Sequence, residues 1–250
     1  MKEHASNDSA IHLFWTGGLD STFRLLHALW NDDRPIQPIY IAHAARKSKD
    51  AEDSVRAEVR AAVLRDRPEL AERLLPERLY LREDIEEDPE VEAAFRELTA
   101  KRYLGKQFTW LGAFARRYED GPIELCLAGS DPVRLLLESR LEGKWHECRL
   151  VGDPPDPVFG AYRFPVIHIP KKRMLEIAKD QGFDEYLSKA WYCYRPTADG
   201  QACGLCNPCL VAAEAGVARN TRPRSKARVL LKRARRGVKR MILRARARFG

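Results

Sequence analysis

The residues most able to bind a ligand lie between an apolar strand and a helix near the N-terminus. Residues 11–15 form an apolar run, residues 16–19 are Thr-Gly-Gly-Leu, and residues 20–22 are Asp-Ser-Thr at the start of a helix that the pattern extends to Trp30. Glycines let a ligand approach the main chain closely, and the free N–H groups of a helix start favour an anion. The hydroxyls of Thr16, Ser21 and Thr22 add donors. The segment therefore predicts a phosphate-binding loop, although an ordinary Gly-Gly turn has the same form. It is not a Walker A loop, because the lysine is absent.

Four cysteines near residue 200 have the spacing of a metal site. Cys193, Cys203, Cys206 and Cys209 follow the pattern C-x9-C-x2-C-x2-C, and four thiolates so close together suit one tetrahedral zinc ion. A disulfide framework is the competing interpretation, and a redox dithiol would not need four cysteines. The remaining Cys126 and Cys148 lie far away, and no export signal is visible, so we expect a reducing, cytoplasmic location.

The N-terminal loop resembles that of a known family. Thr16-Gly17-Gly18-Leu19-Asp20-Ser21 is similar to the S-G-G-x-D-S loop of the N-type ATP pyrophosphatases, or PP-loop enzymes, with threonine in place of the first serine. The resemblance implies that ATP is split between its α- and β-phosphates. It implies Asp20 and Ser21 as catalytic residues, Mg²⁺ at Asp20, and an ATP site formed by Thr16, Gly17, Gly18, Leu19, Asp20, Ser21 and Thr22.

The loop and the cysteines together resemble the 7-cyano-7-deazaguanine synthase family. Its W-S-C-Y and C-G-x-C-x-x-C patterns correspond to residues 191–194, Trp-Tyr-Cys-Tyr, and to residues 203–209. The resemblance spans residues 11–216 and implies an ATP-dependent ligase of queuosine biosynthesis. Such an enzyme adenylates a carboxylate and then an amide, releases pyrophosphate and adds ammonia, converting 7-carboxy-7-deazaguanine to 7-cyano-7-deazaguanine. Zinc would be structural, and a homodimer is a further expectation.

The substrate half of the predicted site departs from the family. Residues 39–47 replace a D-Y-G-Q-R-H-like stretch, and residues 128–132, Ala-Gly-Ser-Asp-Pro, stand where Y-P-D-C-R is expected. Arg46, Lys106 and Gln107 are further ATP-binding candidates, with a solvated polar surface as the alternative. Three other functions stay open: an enzyme that adenylates a different carboxylate, a tRNA base-modifying PP-loop enzyme, and a non-catalytic zinc module.

The elements that must position these residues alternate between strand and helix. This rhythm predicts an α/β fold with a doubly wound, mostly parallel sheet, like that of the adenine nucleotide alpha hydrolases, and ligands at the carboxyl ends of the strands. Residues 143–162 are expected to form a lid or excursion. The predicted strands are 11–15, 36–41, 79–81, 123–128 and 164–169, and the predicted helices are 21–30, 50–65, 89–118, 132–141 and 170–181.

The positive charge is concentrated at the C-terminus. The 250 residues carry a net charge of +8, yet residues 219–250 hold 14 Lys and Arg and no acid, so residues 1–218 have 30 basic and 36 acidic side chains. Apolar residues recur at helical spacing in this tail: Leu231, Ala234, Val238, Ile242, Ala245 and Phe249. We expect a PP-loop domain over residues 1–190, a zinc segment over 191–216 and a basic amphipathic tail over 217–250. The tail would meet an anionic membrane, a nucleic acid or a protein, or would simply be a solubilising extension.

Overall fold

A single seven-stranded sheet organises the described part of the chain. The computed structural model describes residues 10–234 except 103, 130, 132, 215, 217, 226 and 233. The strand order is β3-β2-β1-β4-β7-β6-β5. The first five strands of that order are parallel, whereas β6 and β5 are antiparallel to their neighbours. The strands are β1 (Ile11–Phe14), β2 (Ile36–Ala42), β3 (Arg78–Leu81), β4 (Ile123–Glu124), β5 (Leu141–Glu142), β6 (Arg149–Leu150) and β7 (Tyr162–Arg163).

Helices cover both faces of the sheet because successive strand residues point to opposite sides. Leu13 packs in a core that contains α1 (Leu19–Asn31), α2 (Lys49–Asp66), α6 (Lys171–Asp180) and α7 (Asp184–Leu187). Its neighbour Phe14 packs in a second core that contains α3 (Pro89–Lys101), α4 (Gln107–Arg117) and α5 (Arg134–Leu137). The last helix named here, α8 (Asn207–Glu214), lies in the cysteine-containing segment. The doubly wound α/β prediction is therefore confirmed.

The reversal of strand order places a crevice beside the first strand. The chain runs from β1 outward through β2 to β3, and then returns to place β4 on the other side of β1. His12 pairs with Gln37 on one side and with Ile123 on the other. In open α/β sheets, ligands bind outside the carboxyl ends of the strands at this reversal. The loop after β1 lies at this reversal, at the carboxyl end of the strand.

Three strand predictions need correction. Residues 79–81 were expected to be buried, but β3 is the edge strand and exposes Leu79 and Leu81. Residues 123–128 form a ladder only at Ile123–Glu124, after which the chain leaves the sheet to line the crevice. Residues 164–169 form turns although Phe164, Val166 and Ile167 are fully buried. An apolar run indicates that a segment is buried but not its conformation, because a buried turn and a buried strand have the same apolar pattern.

Two helix predictions and the predicted lid also need correction. The helix expected over 89–118 is two helices separated at residues 102–106, where Gly105 interrupts the pattern and Leu104 is buried. The helix expected over 132–141 shrinks to α5, followed by a 3₁₀ turn and β5. Residues 143–162 contain β6 and part of β7, and they contribute Cys148, Val158 and Phe159 to the core, so this stretch is not a detached lid.

Two predictions about organisation stay predictions. The domain division at residues 190 and 216 is not tested by the fold, and residues 235–250 of the predicted tail lie outside the described residues. In the part of the chain that is described, no helix has the length and apolar character needed to cross a membrane.

Candidate functional site

The loop after β1 is shaped by Gly17. This residue has a φ of +70°, and a Cβ placed on it would lie 3.3 Å from both the Glu52 carbonyl oxygen and Val55 Cγ1. Any other residue at this position would therefore have a strained backbone, and its side chain would collide with α2. Glycine lets the chain turn here while packed against that helix, which directs the start of α1 toward the crevice.

Two further contacts fix this loop from its flanks. The Trp15 indole N–H donates to the Thr22 hydroxyl at 3.1 Å, and this hydroxyl is fully buried. On the other side, the Trp191 N–H donates to the Gly17 carbonyl oxygen at 2.8 Å, and Gly18 forms an isolated parallel bridge with Trp191. The loop is therefore bound directly to the segment that precedes the first cysteine of the cluster.

The first turn of α1 carries the polar groups of the loop. The Ser21 hydroxyl donates to the Gly18 carbonyl oxygen at 3.3 Å and accepts from the Thr16 N–H at 3.4 Å. Asp20 forms an ion pair with Lys171, the first residue of α6. An anion at this helix start would meet free N–H groups, the helix dipole and one ammonium group.

These groups line a cleft of about 400 Å³ at the carboxyl end of the sheet. Its walls combine the loop, the ends of β1 and β2, the chain after β4, α4 and the cysteine-containing segment. Seven of the predicted ATP-binding residues line it: Thr16, Gly18, Leu19, Asp20, Ser21, Arg46 and Gln107. Gly17 lies behind the loop, the Thr22 side chain is in the core, and Lys106 is exposed outside the cleft lining.

Two ion pairs lie among the side chains that line the cleft. Arg46 lies 3.1 Å from Glu52, which also accepts from Ser48 and Tyr40. Burial, followed by the neighbouring Glu52 charge, raises the pKa of Tyr40 to about 12, so this phenol stays protonated and donates. Asp20 is paired with Lys171 as described above.

Two charged residues of the lining, Asp131 and Arg219, form no ion pair with another described residue. Burial raises the pKa of Asp131, whose carboxylate accepts from the Val133 N–H at 2.9 Å. Burial lowers the pKa of Arg219, and within the described residues no acidic side chain forms an ion pair with it. The Tyr192 hydroxyl fixes the Arg219 backbone by accepting from its N–H at 2.8 Å and donating to its carbonyl oxygen at 2.6 Å.

Lys171, Asp131 and Arg219 were not identified as site residues from the sequence. Lys171 follows Pro170 at a helix start, which is a usable signal, because a helix that follows a parallel strand begins at the ligand-binding edge. Asp131 lies in the 128–132 stretch that departs from the family pattern. Nothing in the sequence distinguishes Arg219 from the other arginines of the basic tail.

The four cysteines converge beside the cleft. Their sulfur atoms all lie within 4.8 Å of one another, and the Cys206–Cys209, Cys193–Cys206 and Cys203–Cys209 separations are 3.3, 3.9 and 3.9 Å. A tetrahedral zinc ion with 2.3 Å bonds to sulfur separates its ligands by about 3.8 Å. The cluster therefore fits zinc, and these cysteines are free rather than joined in disulfides.

The surrounding backbone stabilises negative charge on these sulfurs. N–H groups of Arg195 and Cys203 donate to Cys193 Sγ at 3.3 and 3.2 Å, and the Cys206 N–H donates to Cys203 Sγ at 3.3 Å. The hydrogen bond with Cys209 lowers the pKa of the Cys206 thiol against the effect of burial, whereas burial raises the pKa of the Cys193 thiol. The Trp191 indole N–H donates to the Cys193 carbonyl oxygen at 2.7 Å. A zinc ion here would hold Trp191, and through it the loop.

The sequence of this region matches one family model. Residues 161–218 match the model described as queuosine biosynthesis protein QueC. This part of the chain is QueC-like. The matched residues include Lys171, Trp191 and the four cysteines, whereas the loop at residues 16–22 lies outside the match. No curated protein and no solved structure matches the chain.

Proposed function

We propose that this chain is an ATP-dependent carbon–nitrogen ligase that adenylates a carboxylate in the cleft, releases pyrophosphate and transfers the acyl group to ammonia. One observation carries the proposal: the anion-binding loop and the QueC-like cysteine segment meet at Gly18 and Trp191 and line the same cleft. The QueC match favours a queuosine-pathway reaction, in which the carboxylate is 7-carboxy-7-deazaguanine.

The loop residues would act on the phosphates of ATP. The N–H groups at the start of α1 stabilise the charge that develops on pyrophosphate as it leaves, and such prearranged donors act strongly in a partly enclosed site. Lys171 is placed to add a positive charge once its Asp20 partner binds Mg²⁺. Asp20 and the phosphate oxygens are the hard oxygen ligands that Mg²⁺ prefers, and the ion would supply charge neutralisation.

Other residues that line the cleft would receive the acyl substrate. Arg219 provides a guanidinium group without an acidic partner among the described residues, and a guanidinium fork matches a carboxylate in two-point hydrogen bonding. Trp110 and Leu111 of α4 offer an apolar surface for a planar ring. The Asp131 carboxylate, which also lines the cleft, can accept a hydrogen bond from a ring N–H group.

The reaction then needs little acid–base machinery. A carboxylate oxygen attacks the α-phosphorus while the bond to the bridging α–β oxygen breaks, giving an acyl-adenylate and pyrophosphate. Ammonia attacks the acyl carbon, AMP leaves, and a proton is lost to give the amide. For a nitrile, the amide oxygen is adenylated by a second ATP, and AMP is then expelled with loss of two protons.

The test is pyrophosphate release from ATP and Mg²⁺ with 7-carboxy-7-deazaguanine and ammonium, with products followed by mass spectrometry. Asp20→Asn should reduce the rate by about 100-fold or more, as expected for loss of a group that organises transition-state charge. Asp180→Asn, at the exposed end of α6, is the matched control and should stay within about 2-fold.

In the same assay, Arg219→Gln distinguishes binding of the carboxylate from binding of ATP. The KM for the carboxylate should rise about 10- to 150-fold, as expected for loss of a charged hydrogen bond, while the KM for ATP stays unchanged. Substrate-independent release, or release unaffected by Asp20→Asn, would refute the proposal. Asp20-dependent release with other carboxylates only would keep the adenylation chemistry and exclude the deazaguanine substrate.

A further inference from the structure

A second cavity lies at the amino end of the parallel strands, away from the cleft described above. Its volume is about 530 Å³, and its lining includes the first residues of β1 together with Arg34, which precedes β2, and Pro122, which precedes β4. No described residue lines both this cavity and the cleft. Pockets of about 300–1,000 Å³ accommodate small organic molecules. The cavity is therefore a separate candidate site of suitable size.

A row of four charged residues crosses this cavity, one from each of four neighbouring strands. Arg163 of β7 lies opposite Glu124 of β4 on one side and opposite Arg149 of β6 on the other. Arg149 in turn lies opposite Glu142 of β5. All four residues line the cavity. Because residues in register on neighbouring strands project to the same face of a sheet, the row places two arginines side by side in the cavity wall.

These two arginines form no ion pair with another described residue. Glu124 is already engaged by α1, because its carboxylate accepts two hydrogen bonds of 2.7 Å from the Arg24 guanidinium. Burial, followed by the neighbouring Arg149 charge, lowers the pKa of Arg163. Like charges directly opposite each other on neighbouring strands destabilise a sheet. An anion that contacts both guanidinium groups would remove this repulsion.

The connection between β5 and β6 supplies another part of the cavity lining and has an unusual backbone. Trp145 has a φ of +51°, which is strained for a bulky residue. Its indole stacks on the His27 ring of α1, with the ring centroids 4.3 Å apart and the planes 10° from parallel. Gly143 has a φ of +80°, and a Cβ added to it would lie 2.7 Å from the Glu147 carbonyl oxygen. This tight turn holds Glu147 in the cavity lining.

The lining offers two kinds of group to a ligand. Adjacent guanidinium groups match the oxygen atoms of a phosphate, which accept several charged hydrogen bonds. The carboxylates of Glu142 and Glu147 accept hydrogen bonds and do not donate them, so they suit the hydroxyl groups of a sugar. We propose that this cavity binds a sugar phosphate, with the phosphate contacting Arg149 and Arg163. This inference is independent of the proposed enzymatic function.

The experiment is isothermal titration calorimetry of the full, zinc-loaded chain in a phosphate-free buffer, with ribose 5-phosphate as the probe. Arg163→Gln and Arg149→Gln should each weaken binding by at least about 10-fold, as expected for loss of a charged hydrogen bond. The matched control is Lys144→Gln, which removes the same charge from an exposed neighbour outside the lining and should stay within about 3-fold. Because Arg163→Gln removes a like-charge contact, it should not lower Tm.

Two further variants locate the sugar and the phosphate. Glu142→Ala should weaken binding of ribose 5-phosphate by about 3- to 10-fold without weakening binding of inorganic phosphate, because only the sugar donates hydrogen bonds to this carboxylate. Lys171→Gln changes the phosphate loop of the cleft and should leave the affinity for ribose 5-phosphate within about 3-fold.

Four results would overturn the proposal. They are the absence of ribose 5-phosphate binding at millimolar concentration, equal losses in Arg163→Gln and Lys144→Gln, a loss in Lys171→Gln that Arg163→Gln does not show, and equal effects of Glu142→Ala on ribose 5-phosphate and inorganic phosphate. The third result would place the probe in the cleft, and the fourth would exclude recognition of the sugar by Glu142.

Discussion

Replacement of Gly17 by alanine should affect both stability and catalysis, and a second glycine shows how much of the effect is backbone strain. Gly17 and Gly182 have φ angles of +70° and +75°, a region that costs an L-residue about 1–2 kcal/mol. Around Gly182 an added Cβ meets nothing within 4 Å, whereas at Gly17 it lies 3.3 Å from the Glu52 carbonyl oxygen and Val55 Cγ1. Displacing these buried neighbours adds about 1–3 kcal/mol.

The two variants therefore share the cost of a positive φ, and only Gly17→Ala adds the close contacts of the new Cβ with α2. Gly182→Ala should lower the free energy of unfolding by about 1 kcal/mol, after a small gain from the stiffer unfolded chain, and lower Tm by about 2–4 °C. Gly17→Ala should lower Tm by about 5–15 °C and reduce pyrophosphate release by about 100-fold, because the loop must shift relative to the cleft.

Calorimetry of the zinc-loaded protein and the pyrophosphate assay measure the two quantities. Equal Tm losses in the two variants, with full activity retained in Gly17→Ala, would refute the inference that close packing of this loop on α2 positions the phosphate site.

Two further predictions concern the cysteine cluster and the pH dependence of stability. Cys206→Ser should lower the zinc content in elemental analysis and weaken the contact of Trp191 with the loop, which would reduce both Tm and pyrophosphate release. The control is Cys148→Ala in the core, which should keep its zinc. A full zinc content in Cys206→Ser would exclude a site formed by four sulfur ligands. Burial, followed by the nearby Arg24 charge, lowers the pKa of His27 from 6.5 to about 4. The unfolded chain binds this proton first, so the stability contributed by neutral His27 is present above pH 6.5 and is lost as the pH falls toward 4, by about 1–3 kcal/mol in denaturant titrations. His27→Gln should flatten that slope, and an unchanged slope would contradict the assignment.

The sequence predicted best the features that depend on near neighbours along the chain. The bounds of α1, α2 and α6 were predicted to within two residues, because helix periodicity and terminal signals are local. The four-cysteine cluster could also be predicted, since its ligands lie within 17 residues of one another in the sequence. The break at Gly105 and the buried turns at residues 164–169 were missed, because burial is shared by strands, turns and helices alike.

The site shows the same division between local and long-range information. By itself the sequence determined that a glycine pair, Asp20 and Ser21 stand between a strand and a helix, and that four thiols can converge on one metal. Only the tertiary structure decided that Lys171 pairs with Asp20, that Trp191 bonds to Gly17, and that Arg219 lines the same cleft. Each of these contacts joins residues more than 25 positions apart in sequence, and the order of strands in the sheet, which no local pattern encodes, brings them to one edge.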